Sequence, residues 1–283
     1  MPTDDNLSPR RKELGERLQQ LRNATGVSGR QMAADLGWSQ PKISRAEAGL
    51  NLPPTGDIRR WLDYCNASDQ HKYEVLALAD EVATEVVTNR ELNRGGHAAQ
   101  QLARIKHDAE ADRISIYQPE VIPGLLQTPE YTRRLLLLIG AATPDVVAES
   151  VAARTQRQTI LYDEAKTISV VITETALAWQ PWPSSVSREQ LDRLRTLAAL
   201  PNVDIGIVSR EQQKKAPTSN SFVLTHWPDD VMDVVVESLT AEVTITNRPD
   251  VDVYQHMFTQ QQQYAAYGKD ALLLLDRVTA ELD

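Results

Sequence analysis

The sequence predicts a multidomain chain, an all-α bundle of five helices followed by a mixed α/β C-terminal domain. Three observations predict it. Residues 10–88 read as five helices in succession, two of them short and joined by a tight turn at Gly37. Past a break at residues 89–96, β-branched runs alternate with amphipathic helices. At 283 residues the chain has room for about two domains, and its 41% hydrophobic and 24% charged content fits globular structure throughout.

In chain order, residues 1–9 are polar and turn-forming, and read as a disordered N-terminus. Residues 10–24 form an amphipathic helix with Leu14, Leu18 and Leu21 on one face. Ser28, three residues before Gln31, opens a second helix with a capping box. After Gly37, Ser39 caps a third helix, and Pro41 is tolerated in a first turn that lacks intrahelical donors. Met32, Ala33, Leu36, Ile43 and Ala46 share an interior, which leaves Gln40, Lys42, Ser44 and Arg45 pointing outward. That pattern is a helix-turn-helix whose third helix can enter a DNA major groove. A fourth helix over 55–65 carries Ile58, Trp61, Leu62 and Cys65, and a fifth, over about 70–88, closes the bundle.

The run Leu36-Gly37-x-Ser39-x-x-x-Ile43-Ser44-x-x-Glu47-x-Gly49, set among five helices over residues 10–88, resembles the Xre/Cro-repressor family of DNA-binding domains. The resemblance implies that Gln40, Lys42 and Arg45 touch base edges, with Ser39 and Ser44 nearer the phosphates. A two-pronged Gln–adenine or Arg–guanine pair is worth about 1–3 kcal/mol of discrimination. It also implies a structural ion pair between Arg22 and Glu47. Gly29 stands where the family usually has a phosphate-clamping Gln, so phosphate grip falls to Arg30, Lys42 or Asn51. Residues 1–52 hold 8 Lys+Arg against 6 Asp+Glu, whereas the whole chain is −9. The modest positive surplus sits at the end that would meet DNA, and affinity then needs a dimer on an inverted-repeat operator.

Residues 89–96 read as a linker, and 97–283 as an α/β effector or partner-binding domain. Its order is a helix over 98–115, a Pro-Gly turn, a helix begun by Thr128-Pro129, strands at 168–172, 203–208, 221–225, 232–237 and 242–246, a helix over 188–200, and two final helices over about 250–266 and 268–281. Tyr117-Gln118-Pro119, then Ile122-Pro123-Gly124-Leu125-Leu126-Gln127-Thr128-Pro129-Glu130-Tyr131, Ala153-Arg154-x-x-Arg157-Gln158-x-Ile160-Leu161, Glu174-x-Ala176-Leu177 and Val235-Val236-Glu237 resemble the C-terminal domain of WhiJ-like actinobacterial regulators. That resemblance implies a transcriptional regulator controlled by a small partner protein encoded nearby or by a small-molecule effector. It also implies an antitoxin-like alternative, in which the chain sequesters the partner. The chain departs from the family at the polar, cationic loop 209–215.

No phosphate loop, nucleophile elbow or zinc-protease helix occurs in the sequence, so neither an enzyme nor a cofactor is expected. Lone Cys65 and five scattered histidines cannot build a disulfide framework or a zinc site. Convergence of Glu174, Glu237 and Glu242 across strands would instead mark a metal-dependent enzyme. Trp179, Trp182 and Trp227, with His226 beside the last, lie in Pro-rich loops; Trp179 and Trp182 read as a packing wedge, and the other histidines as isolated surface or helix-face positions. Residues 1–9 hold no apolar signal core, and the apolar run 135–139 is too short to span a membrane. A cytoplasmic protein without membrane contact is the expectation.

Overall fold

The computed structural model describes residues 9–50, 53–88, 97–140, 143–228, 230–238 and 241–282. Residues 1–8, Asn51 and the linker expected at 89–96 lie outside these. The N-terminal bundle contains α1 (Pro9–Ala24), α2 (Gly29–Leu36), α3 (Gln40–Glu47), α4 (Thr55–Tyr64) and α5 (Asp69–Val82). Three of these starts are set locally: the hydroxyls of Ser28, Ser39 and Ser68 accept the amides of Gln31, Lys42 and His71. Gly37 takes the left-handed conformation, φ 71°, that ends α2 and turns the chain into α3. Leu14, Leu18, Met32, Ala46, Trp61 and Leu62 are fully buried between the helices, and the Trp61 indole donates to the Leu18 carbonyl at 3.2 Å. Cys65 belongs to this core, where burial pushes its thiol up to about 11.

The second domain runs β1 (Thr84–Thr88), α6 (His97–Ala109), β2 (Arg113–Gln118), a 3-10 turn (Gly124–Leu126), α7 (Pro129–Leu138), α8 (Pro144–Arg157), β3 (Thr167–Thr173), α9 (Glu174–Ala178), α10 (Ser184–Leu197), β4 (Val203–Val208), α11 (Arg210–Gln213), β5 (Phe222–Trp227), β6 (Val231–Glu237), β7 (Ala241–Ile245), α12 (Arg248–Tyr264), β8 (Ala265–Ala266) and α13 (Gly268–Ala280). The strands form one sheet in the order β1-β7-β6-β5-β2-β3-β4-β8. β2, β3 and β4 are parallel, and the strands outside them pair antiparallel. One face carries Ile114, Ile116, Val170 and Ile205 against α10 and α13. The other carries Tyr117, Val171, Phe222 and Val234 against α12. A multidomain chain with a helical bundle and a mixed α/β domain is therefore what the sequence forms.

Two element assignments need correction. The fifth helix stops at Val82 rather than running to residue 88, and Thr84–Thr88 becomes the edge strand beside β7, with Thr84 opposite Ile245 and Thr88 opposite Ala241. A β-branched residue such as Val86 loses side-chain freedom in a helix and fits a strand. The amide of Thr246 also bonds the Ala83 carbonyl at 2.8 Å. Likewise the helix expected over 98–115 ends at Ala109, and Ile114 and Ile116 enter the sheet core as part of β2.

The Ile-Pro-Gly-Leu-Leu-Gln-Thr segment is braced by three buried glutamines. Gln127 donates to the Ile122 carbonyl at 2.6 Å and accepts from Thr132 and Arg154 at 2.9 and 2.7 Å. Gln158 donates to the carbonyls of Gly124 and Gln127. Gln190 donates to the Leu126 carbonyl and accepts the Thr128 amide. A Cβ at Gly124 would stand 3.2 Å from the Arg154 guanidinium carbon, so this glycine lets the guanidinium lie against the turn. The motif's residue types are thus explained by satisfied buried polar groups.

Between α6, α8 and the sheet lies a charged layer that sequence spacing did not reveal. Arg157 donates to Asp108 at 2.8 Å, with 12% and 4% of the two side chains exposed. His107 donates through Nδ1 to Asp108 at 3.2 Å and through Nε2 to Asp233 at 3.0 Å, and Arg104 bonds both Glu237 and Glu242. His107 is therefore not the isolated surface histidine expected. Burial opposes its charge, but the Asp233 and Asp108 carboxylates outweigh that and lift it from 6.5 to about 9. Its contribution to stability is complete below about pH 6.5 and is lost as pH rises through about 9. With a third of the ring exposed, the loss should be on the order of 1 kcal/mol. Melting curves from pH 6 to pH 10 should show a decline in the wild type that His107→Gln lacks; parallel curves would remove His107 from this role.

Glu174, fully buried, receives the Arg210 amide at 2.8 Å and Arg277 at 2.6 Å, which clasps α13 to the start of α9. Glu237 and Glu242 meet across β6 and β7 on Arg104, but Glu174 does not join them, being engaged separately by the Arg210 amide and Arg277. Among the described residues no group of three or more His, Cys, Asp or Glu could hold a metal. Trp182 wedges between Tyr131 and Trp179, with ring centroids 4.6 and 5.2 Å away. Trp227 ends β5 rather than lying in a loop, and its ring meets His107 edge-on at 4.7 Å. No described helix is long and apolar enough to cross a membrane.

Candidate nucleic-acid interface

The two caps and the Gly37 turn fix α3 against α2, and the Arg22–Glu47 pair fixes α3 against α1. Arg22 bonds Glu47 through both its Nε and, at 2.9 Å, its Nη2, and also donates to the Val27 carbonyl at 2.8 Å. These side chains are only 11% and 10% exposed, so the pair serves the scaffold. The outer surface of α3 then presents Gln40, Pro41 and Ser44 to solvent, one turn apart on one face. Arg45 follows on the adjoining stripe, with 17% of its side chain exposed.

Lys42 does not point outward as expected. It is buried, its Nζ lies 2.7 Å from Asp57 on α4, and it sits 4.8 Å from the centre of the Trp38 ring. Asp57 lies fifteen residues away, beyond the reach of any local pattern, and it recruits the ammonium while Trp38 covers the stem. Ser39 spends its hydroxyl on capping α3. Arg30 on α2 is exposed. Arg60, which the sequence reading passed over, stacks over the Trp38 ring at 5.2 Å from its centre and donates to the Leu36 carbonyl at 2.8 Å. Arg59 beside it is exposed. Two adjacent arginines at the fourth helix were the available signal.

Gly29 packs closely against α3. A Cβ there would stand 3.2 Å from Cγ2 of Ile43, so a larger residue requires the Ile43 side chain on α3 to give by a few tenths of an ångström. In the second domain, Ser209 caps α11, and Ser209 and Gln212 line an open cleft of about 450 Å³ with Gln263, Tyr264, Asp270 and Leu273.

A family model described as a helix-turn-helix domain matches residues 13–74, and one described as a domain of unknown function (DUF5753) matches residues 102–277. No curated protein matches the chain. A solved structure similar to it is that of TrmBL2, an archaeal chromatin protein whose structure shows a novel mode of DNA binding. The identity is 12% over 75% of this chain and 67% of that one, with a TM-score of 0.32, a likeness too distant to carry any inference about this chain.

Proposed function

The chain belongs to the family defined by the domain of unknown function DUF5753, joined here to a helix-turn-helix domain, and on that premise we propose that it is a sequence-specific, DNA-binding transcriptional regulator. The observation that carries the proposal is the surface of α3, where Gln40, Pro41 and Ser44 face solvent beside Arg45 on a helix whose start, turn and scaffold ion pair are all locked. Gln40 and Arg45 read base edges. Arg30, Ser44 and the exposed Arg59 meet phosphates, with Asn51 and the Ser39 amide assisting in the bound state. Lys42 supports the interface through Asp57 and Trp38 instead of contacting DNA.

The protein acts as a cytoplasmic homodimer on an inverted repeat, because a single short α3 reads few bases and the positive surplus is small. The C-terminal domain conveys a signal from a small partner protein or small-molecule effector, as in WhiJ-like regulators. Antitoxin-like sequestration of a partner is compatible with this scheme. A metal-dependent enzyme is disfavoured because Arg104 neutralises Glu237 and Glu242 while Glu174 is engaged apart from them by Arg277.

Capture of genomic fragments by the full chain at two salt concentrations tests the proposal. One inverted-repeat sequence should be enriched by the wild type and not by the Gln40/Arg45 double alanine variant. Enrichment of no sequence, or of the same sequences by both proteins, sinks it. Within that assay Arg45→Ala should relax preference at one operator position by about 1–3 kcal/mol. Lys42→Ala should chiefly lower the melting temperature, since losing a charged hydrogen bond costs about 1.5–3 kcal/mol. The reverse assignment of those two effects would place Lys42 on the DNA.

A further inference from the structure

Arg45, on the stripe beside the solvent-facing surface of α3, meets the second domain. Arg45 Nη1 lies 3.4 Å from a carboxylate oxygen of Glu110, which follows directly on α6, and 17% and 39% of the two side chains are exposed. Glu110 does not sit on a free loop. Two residues before it, Asp108 is held by Arg157 and His107, and Arg104 anchors the same helix to β6 and β7. The bundle is tied to the same sheet on another side, because α5 leads through Ala83 into β1, the edge strand paired with β7. Both attachments therefore run to one sheet and its packed helix, and together they set Arg45 against the Glu110 carboxylate.

A carboxylate, a phosphate and the O6/N7 edge of guanine all compete for the same planar fork of guanidinium donors. We infer that Glu110 is a built-in competitor for the Arg45 guanidinium, an autoinhibitory contact that DNA must displace and that any signal shifting α6 relative to the bundle would weaken or strengthen. This rests on the proposal that α3 reads DNA. Glu110 left in place would also set a negative charge beside the phosphates. A partly exposed ion pair can shift an equilibrium by at most about five-fold, so the contact tunes affinity and does not abolish it.

The test uses the full-length chain and a fluorescein-labelled pool of 30-base-pair duplexes with randomised centres, read by anisotropy at low salt. Glu110→Gln should bind about three- to five-fold more tightly than wild type, with an unchanged melting temperature, and the gain should vanish in the Arg45→Ala background. A gain of equal size in that background would mean general repulsion between Glu110 and DNA, and overturns the inference. No gain overturns it as well, and if Arg45→Ala still weakens binding, the DNA-reading proposal stands without it. Binding indifferent to Gln40→Ala, Arg45→Ala and Glu110→Gln alike removes both.

Discussion

Arg157→Met should lower the stability of the C-terminal domain by about 3 kcal/mol, which for a domain of this size is a fall of about 6–12 °C in melting temperature. The reason is the carboxylate left behind. Asp108 is 4% exposed, and although burial opposes its charge, Arg157 first and then His107 hold it far below the ordinary carboxylate range. Without Arg157 it keeps only His107, which is shared with Asp233. Removing one member of a buried pair is costly because the other stays desolvated, whereas removing both is often tolerated. Arg157→Met combined with Asp108→Leu should therefore recover part of the loss, giving a coupling of more than about 1 kcal/mol in a double-mutant cycle. Additive losses, or a single-variant loss no greater than that of an exposed pair, would show that Asp108 is well solvated after all.

The contrast between the two domains explains how much was readable beforehand. The bundle was legible because its determinants are local: the Ser28 and Ser39 caps act on amides three residues on, and Gly37 fixes its own turn. Lys42 failed as an outward residue for the opposite reason, since its direction is decided by Asp57 and by the lie of the Trp38 ring. Residues 84–88 failed because their partner strand begins at Ala241, and a five-residue run at the end of a helix carries no record of that. The His107 layer joins α6, α8 and β6 across 126 residues of sequence, so no spacing rule could assemble it. The strands 203–208 and 232–237 were readable from their Val and Ile content alone.

Gly15 shows the same limit in a single residue. A glycine within a helix looks like a defect worth about 1 kcal/mol against alanine, and on propensity alone Gly15→Ala should stabilise α1. In the structure the missing Cβ is where α1 and the end of α3 touch. A Cβ at position 15 would lie 2.6 Å from the Glu47 carbonyl oxygen, 2.7 Å from the Gly49 amide and 2.9 Å from the Ala46 carbonyl oxygen, all backbone atoms. Gly49 cannot retreat, since it sits at φ +67° with its own Cβ position 2.7 Å from the Arg11 carbonyl oxygen. The clash must therefore separate α1 from α3, straining the Arg22–Glu47 pair that orients the reading helix. Gly15→Ala should cost a net of about 2–3 kcal/mol despite its helix propensity, and it should weaken DNA binding through the displaced α3. Gly56→Ala in α4 is the matched control, because nothing lies within 4 Å of its Cβ position. That variant should be neutral or stabilising by up to about 1 kcal/mol. Thermal melting with hydrogen exchange at α1 and α3 compares the two, and equal or higher stability in Gly15→Ala would mean that the helices can part at no cost, so that the glycine contact does not set the position of α3.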